Sequence, residues 1–189
     1  MTGRTQKSPD PWRRAWAWPL LAISLLMVAS AARQGTAAEA ALPAVPTGQM
    51  APDFALPDPS GKVVRLSDFR GKKAVFLNFW ASWCPACQLE MPTLETAYQR
   101  FKDRGLEVVA VSIDRVGPGA VTRFTRDHKI SFPVLHDRGQ RVMDQYDVNF
   151  IPTHFFIDRD GKIRGKEVGP KDWIKPETWQ VLEGLLKEQ

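Results

Sequence analysis

Residues 73–87 read KAVFLNFWASWCPAC. Lys73 to Trp80 is nearly all apolar and rich in residues that favour extended backbone, as a strand buried on both faces requires. From Pro85 to Arg104 the apolar residues Met91, Leu94, Ala97, Tyr98 and Phe101 recur at intervals of three and four, and Gly105 follows. That pattern predicts an amphipathic helix with its stop signal. The only two cysteines of the 189-residue chain, Cys84 and Cys87, therefore stand where a buried strand ends and a helix begins. Sheets flanked by helices place their chemistry at such junctions.

On the N-terminal side, Asp53 to Leu66 (DFALPDPSGKVVRL) holds two short apolar stretches around a Pro, Ser and Gly turn, the pattern of a leading hairpin. On the C-terminal side, Val108 to Ile113 predicts a second buried strand, Pro118 to Lys129 a helix, Phe132 to Leu135 a short strand and Gln140 to Tyr146 a short helix. Thr153 to Ile157 (THFFI) is a strand that turns at Asp160-Gly161 into Lys162 to Val168. A last helix runs from Pro176 to Lys187, with proline in its first turn. This order predicts an α/β fold: a mixed central sheet with helices on both faces, an N-terminal hairpin extension and a central inserted helix and strand.

Ahead of this body, Ala15 to Ala32 runs without a charge after Arg13 and Arg14. The run is short for a membrane anchor and long for a signal peptide, so residues 1–38 are expected to be one or the other. Ala29 to Ala31 or Thr36 to Ala38 would serve as a cleavage site, and the Arg13-Arg14 pair is compatible with twin-arginine export. In both cases the positive flank stays in the cytoplasm and the remainder is exported, to the periplasm of a bacterial envelope. Residues 39–50 have the composition of a tether, and 51–189 suit one compact domain. Five of the 26 Lys and Arg residues lie in the leader beside a single acid, so the basicity belongs mostly to that segment. The exported body is close to neutral and has no basic block, which excludes nucleic acid as an expected partner.

The helix start gives the cysteines their chemistry. Unpaired backbone N–H groups and the positive end of the helix dipole favour a thiolate, so Cys84 is the expected nucleophile. Pro85 suits the first helical position, where no N–H partner is lost. Cys87, less than one turn on, can reach the sulfur of Cys84 and is the expected resolving thiol. A structural bridge is a poor alternative, because so short a loop removes little unfolded-chain entropy. A zinc site lacks ligands, since His128, His136 and His154 show no paired spacing near the motif, and no metal is expected. The histidines are read as surface or packing residues. Gln88 after Cys87 excludes the haem-attachment motif. The redox-active pair itself is the only prosthetic feature expected.

In its ordered motifs, from about Ala51 onward, the sequence resembles the thioredoxin-like thiol–disulfide oxidoreductases of the TlpA/ResA type, within the AhpC/TSA and redoxin-like superfamily. The motifs are APDFAL, LSDFRGK, NFWASWCPAC, Glu90-Met91-Pro92, IPTHFFIDRDGKI and VGPKDW. The resemblance implies a thioredoxin-like fold with a cis Ile151-Pro152 bond facing the cysteines. It also implies a reductant acting on apocytochrome c or on cytochrome oxidase assembly proteins, fed by a membrane thiol transporter. Thr153 departs from the acidic residue found after this proline in the branch devoted to cytochrome c maturation. Trp83 is the expected aromatic contact for substrate, with Pro85, Ile151 and Thr153 around it; Trp80 is expected in the core.

Thioredoxins carry a buried Asp on the strand before the motif, and Asn78 occupies that place here. Asn cannot accept the proton that Cys87 must lose. Glu90, three residues beyond Cys87 on the same helical face, could do so. Its alternative reading is a solvated surface acid. Pro92 removes one helical hydrogen bond.

Three other readings compete, one of them a redox-inactive interaction module, which requires inaccessible thiols. A peroxiredoxin shares APDF and LSDFRGK, but its cysteine sits in a TxxC pattern, and Ala81 stands in the threonine's place. A Sco-like copper chaperone carries CxxxC, and the gap here is two residues.

Overall fold

The computed structural model describes residues 48–187. The expected leader, 1–38, and the tether as far as residue 47 lie outside the described residues. Two short strands, β1 (Ala55–Pro57) and β2 (Val63–Arg65), pair antiparallel as a small sheet of their own. The main sheet contains β3 (Ala74–Trp80), β4 (Leu106–Ser112), β5 (Val134–His136), β6 (Thr153–Ile157) and β7 (Ile163–Val168), in the order β5-β4-β3-β6-β7. β3, β4 and β5 run parallel; β6 is antiparallel to β3, and β7 to β6. Parallel neighbours need crossovers. Helix α1 (Pro85–Phe101) supplies the one between β3 and β4, and α2 (Gly119–Asp127) the one between β4 and β5. A short α3 (Arg141–Gln145) precedes β6, and α4 (Pro176–Lys187) follows β7.

β3 is the central strand and is buried at every position, which accounts for its unbroken apolar run. Its side chains alternate between the two faces. On one face the Asn78 amide donates to Met91 Sδ of α1 at 3.5 Å, and the rings of Trp80 and Phe124 of α2 lie 5.1 Å apart. Phe76, on that face too, meets Trp173 edge-on at 4.7 Å. Phe79 on the other face packs 5.5 Å from Tyr146, just after α3, and Tyr146 in turn meets Phe54 ahead of β1. Helices therefore cover both faces of one mixed sheet. Among the described residues, no helix is long and apolar enough to cross a membrane.

The differences from the sequence reading are local. α1 stops at Phe101; a single 3₁₀ turn, Lys102–Arg104, and Gly105 at φ 96° complete the exit. That left-handed conformation suits glycine. β4 starts at Leu106, ahead of the expected Val108, because Leu106 and Glu107 pair with Ala74 and Val75. Lys73 Nζ, 2.7 Å from the Glu107 carboxylate, makes an acid tolerable there. Gly48, Gln49 and Met50, read as the end of the tether, are instead joined to the start of β7: Gly48 N–H donates to the Ile163 carbonyl and Ile163 N–H to that of Gln49.

Candidate active site

β3 delivers the chain to a three-residue loop, and Cys84 then caps α1, its Sγ accepting the Cys87 backbone N–H at 3.2 Å. Pro85 occupies the first turn, where no acidic side chain offsets the positive helix end. The two cysteines are joined as a disulfide with Cα atoms 5.3 Å apart. Cys84 keeps 6% of its surface exposed and Cys87 only 1%, so Cys84 is the more accessible of the pair.

The loop is tied from three sides. Asp114, buried just beyond β4, accepts the Ser82 N–H at 2.9 Å and its hydroxyl at 2.6 Å, and the Ser112 hydroxyl at 2.7 Å. The Gln88 amide of α1 donates to the Ser82 carbonyl. His136 of β5 places Nε2 2.7 Å from the Asp114 carbonyl. Asp114 was not singled out in the sequence, because only the sheet order brings the end of β4 beside the loop that leaves β3.

The Ile151-Pro152 bond is cis, as the resemblance implied. Thr153 pairs with Phe79 in register, which sets the proline beside the end of β3 where the cysteine loop departs. Thr153 itself is buried, with its hydroxyl donating to the Phe150 carbonyl at 2.7 Å, so its side chain offers nothing to a partner. Trp83, before Cys84, is 62% exposed, and Phe150, before Ile151, is 67% exposed. Phe150 is a second apolar surface at the site, which sequence spacing did not mark. Trp80 is fully buried, as expected.

Glu90 is not a surface acid: it is 2% exposed. Its Oε1 lies 2.5 Å from His154 Nε2, and Oε2 accepts the Lys171 backbone N–H at 3.1 Å. The adjacent Thr93 hydroxyl donates to the Glu90 carbonyl at 2.8 Å and accepts the Trp173 N–H at 3.2 Å. His154, fully buried on β6, pairs with Asn78 of β3 in register, and its ring lies 5.3 Å from that of Phe76 and 5.2 Å from that of Trp173. Reading His154 as a surface or packing residue is thus incomplete: it packs, and it also bonds Glu90, a buried acid of the cysteine helix. The usable signal was a polar ring inside an otherwise apolar strand, since buried polar groups demand partners.

Comparison with known proteins agrees with this geometry. The family model described as the AhpC/TSA family matches residues 47–166. The thiol-disulfide oxidoreductase ResA of Bacillus thuringiensis (strain Al Hakam) is 39% identical over 141 residues, spanning 75% of this chain and 77% of that one. Among solved structures, a proposed thiol:disulfide interchange protein DsbE from Chlorobium tepidum superposes with a TM-score of 0.69 at 37% identity, covering 75% of this chain and 98% of that one. The thioredoxin domain of a thiol-disulfide oxidoreductase from Bacteroides vulgatus does so with a TM-score of 0.65 at 28% identity, covering 75% and 99%. With a family model matched over most of its length and relatives at about 40% identity, the chain belongs to the AhpC/TSA family as a thioredoxin-like thiol–disulfide oxidoreductase.

Proposed function

We propose that the chain reduces disulfide bonds of partner proteins outside the cytoplasm, with Cys84 and Cys87 as its redox pair and no further cofactor, in support of cytochrome c or cytochrome oxidase assembly. The observation that carries this reading is the Cys84–Cys87 bridge at the start of α1 with Cys84 as the more accessible residue. In the reduced protein, Cys84 thiolate attacks a partner disulfide; one partner sulfur leaves as thiolate and a mixed disulfide forms. Glu90 takes the proton of Cys87, whose sulfur then attacks Cys84 and releases the second partner thiol. The protein is left oxidised and the partner reduced. A membrane thiol transporter would return the electron pair by the same exchange in reverse. Trp83 and the backbone around Ile151-Pro152 form the surface against which the partner docks. Residues 1–38 place the domain in the periplasm, held to the inner membrane by residues 15–32 or released after cleavage.

Replacing the resolving thiol tests this directly. Cys87→Ser should accumulate covalent adducts through Cys84 in the exported compartment, visible on a non-reducing gel and lost with dithiothreitol, because intramolecular attack worth an effective molarity of about 10⁵ M or more is removed. Apocytochrome c or an oxidase assembly protein should be among them. Adducts that form in Cys84→Ser instead would reverse the two roles, and partners unconnected with haem proteins would reject the substrate class.

A further inference from the structure

We propose that His154 is a positioning residue for the exchange reaction: it fixes the Glu90 carboxylate in the orientation from which it accepts the Cys87 proton. This rests on the reading of Glu90 as that acceptor. Both Glu90 oxygens are held, Oε1 by the ring on β6 and Oε2 by the backbone N–H of Lys171, so the carboxylate has no free rotation. A carboxylate still keeps acceptor lone pairs beyond these two bonds. Glu90 and Cys87 stand three residues apart among the buried positions of α1.

The tautomer of the ring follows from its surroundings. Nδ1 has no hydrogen-bond partner among the described residues. A proton on Nε2 pairs with Glu90 and leaves a bare lone pair at Nδ1, whereas a proton on Nδ1 would set the Nε2 lone pair against the carboxylate. His154 Nε2–H is therefore the donor. The remaining groups facing the ring are Asn78 on β3, Phe76 and Trp173, and Glu167, its register partner on β7, whose carboxylate is engaged by Lys171 Nζ at 3.0 Å.

In the step concerned the Cys87 S–H bond breaks and its proton passes to Glu90. The Cys87 sulfur bonds to that of Cys84, and the electron pair of the broken mixed disulfide leaves with the partner thiolate. That thiolate is protonated in turn, returning Glu90 to the carboxylate. Freeing the carboxylate from His154 leaves Cys84 untouched and penalises only this second step, for misplacement of a reacting group by about 1 Å can cost about 100-fold.

The reagent 5,5′-dithiobis(2-nitrobenzoic acid) separates the two steps, because each releases one coloured thiolate. Reduced parent, Glu90→Gln, His154→Phe and His154→Gln are followed by stopped flow across the pH range. The first release should be the same in all four. In Glu90→Gln and His154→Phe the second release should slow by about 10- to 100-fold near neutral pH. It should then climb about tenfold per pH unit toward the ordinary thiol range near 8.5, as hydroxide replaces the lost acceptor. His154→Gln, whose amide donates from a similar place, should stay within a few-fold of the parent. A slowed Glu90→Gln beside a parent-like His154→Phe overturns the role of His154 and leaves the Glu90 reading standing; parent-like behaviour of both overturns the two together. Should His154→Phe not fold, the ring ¹⁵N shifts of the parent decide: a proton on Nε2 is required, and one on Nδ1 overturns the proposal.

Discussion

Removing the Asp114 carboxylate should loosen the loop that presents Cys84 and cost stability at the same time. The three donors on Asp114 are the Ser82 N–H, the Ser82 hydroxyl and the Ser112 hydroxyl, at 2.6–2.9 Å. Hydrogen bonds to an ionised group contribute about 1.5–3 kcal/mol each, but the three do not simply add. Ser82 is half-buried, so water can replace the lost acceptor there. Ser112 is fully buried and its hydroxyl keeps only the Asp114 backbone N–H, 3.2 Å away, as partner. Asp114→Ala should therefore lower the unfolding free energy by about 2–4 kcal/mol, with most of it from the network and little from volume. Ser82→Ala, which removes one bond at the wet end, should cost about 1 kcal/mol or less. Urea unfolding of the oxidised proteins measures both, read from the midpoint at unchanged slope. Thiol exchange through Cys84 should slow in Asp114→Ala, since the loop preceding it is no longer held from β4. An Asp114→Ala midpoint equal to that of the parent would refute the argument that this network positions the loop.

Tyr146 gives a pH-dependent test. Its hydroxyl donates to the Pro52 carbonyl at 2.7 Å, and burial, with the Asp53 charge second, pushes it well above the usual phenol range. The folded form thus holds this proton more tightly than the unfolded chain. Its contribution is complete below about pH 10 and is lost as pH rises from there through the folded value. Tyr146→Phe should be less stable by about 1 kcal/mol at neutral pH, with the gap closing above pH 10; a gap that stays constant in urea unfolding at both pH values contradicts the assignment. Trp173→Ala removes a ring with 1% exposure that is packed edge-on against Phe76, His154 and Phe156. It should cost about 3–5 kcal/mol, lowering the melting temperature by about 10–17 °C, and a fall of only a degree or two would mean that the ring is not part of the core.

What the sequence made legible was what short range decides. β6 and α4 were read with their observed ends, because an apolar run bounded by a proline, or a proline at a first turn, is local information. The position of the cysteines at a strand end and helix start was legible for the same reason. The Glu90–His154 bond was not, since 64 residues separate the partners and only the pairing of β6 with β3, in the register Asn78 to His154, brings them together. Asp114 was hidden likewise: its partner Ser82 is 32 residues away. The early start of β4 was missed because Glu107 reads as a strand breaker until Lys73 is placed beside it.

The bonds that close the site from Lys171 and Trp173 bear on the order in which the protein comes off the ribosome. Synthesis runs from the N-terminus, so the cysteine helix and the β6 strand are both available before the segment from Lys171 onward has been added. Until then Glu90 lacks the N–H that fixes its second oxygen, Thr93 lacks the Trp173 N–H, and the His154 ring has no indole against it. A nascent chain of about 165 residues therefore carries both thiols and its acid but not the finished enclosure around them. The dithiol is fully enclosed only once the segment from Lys171 to Trp173 has closed against the cysteine helix.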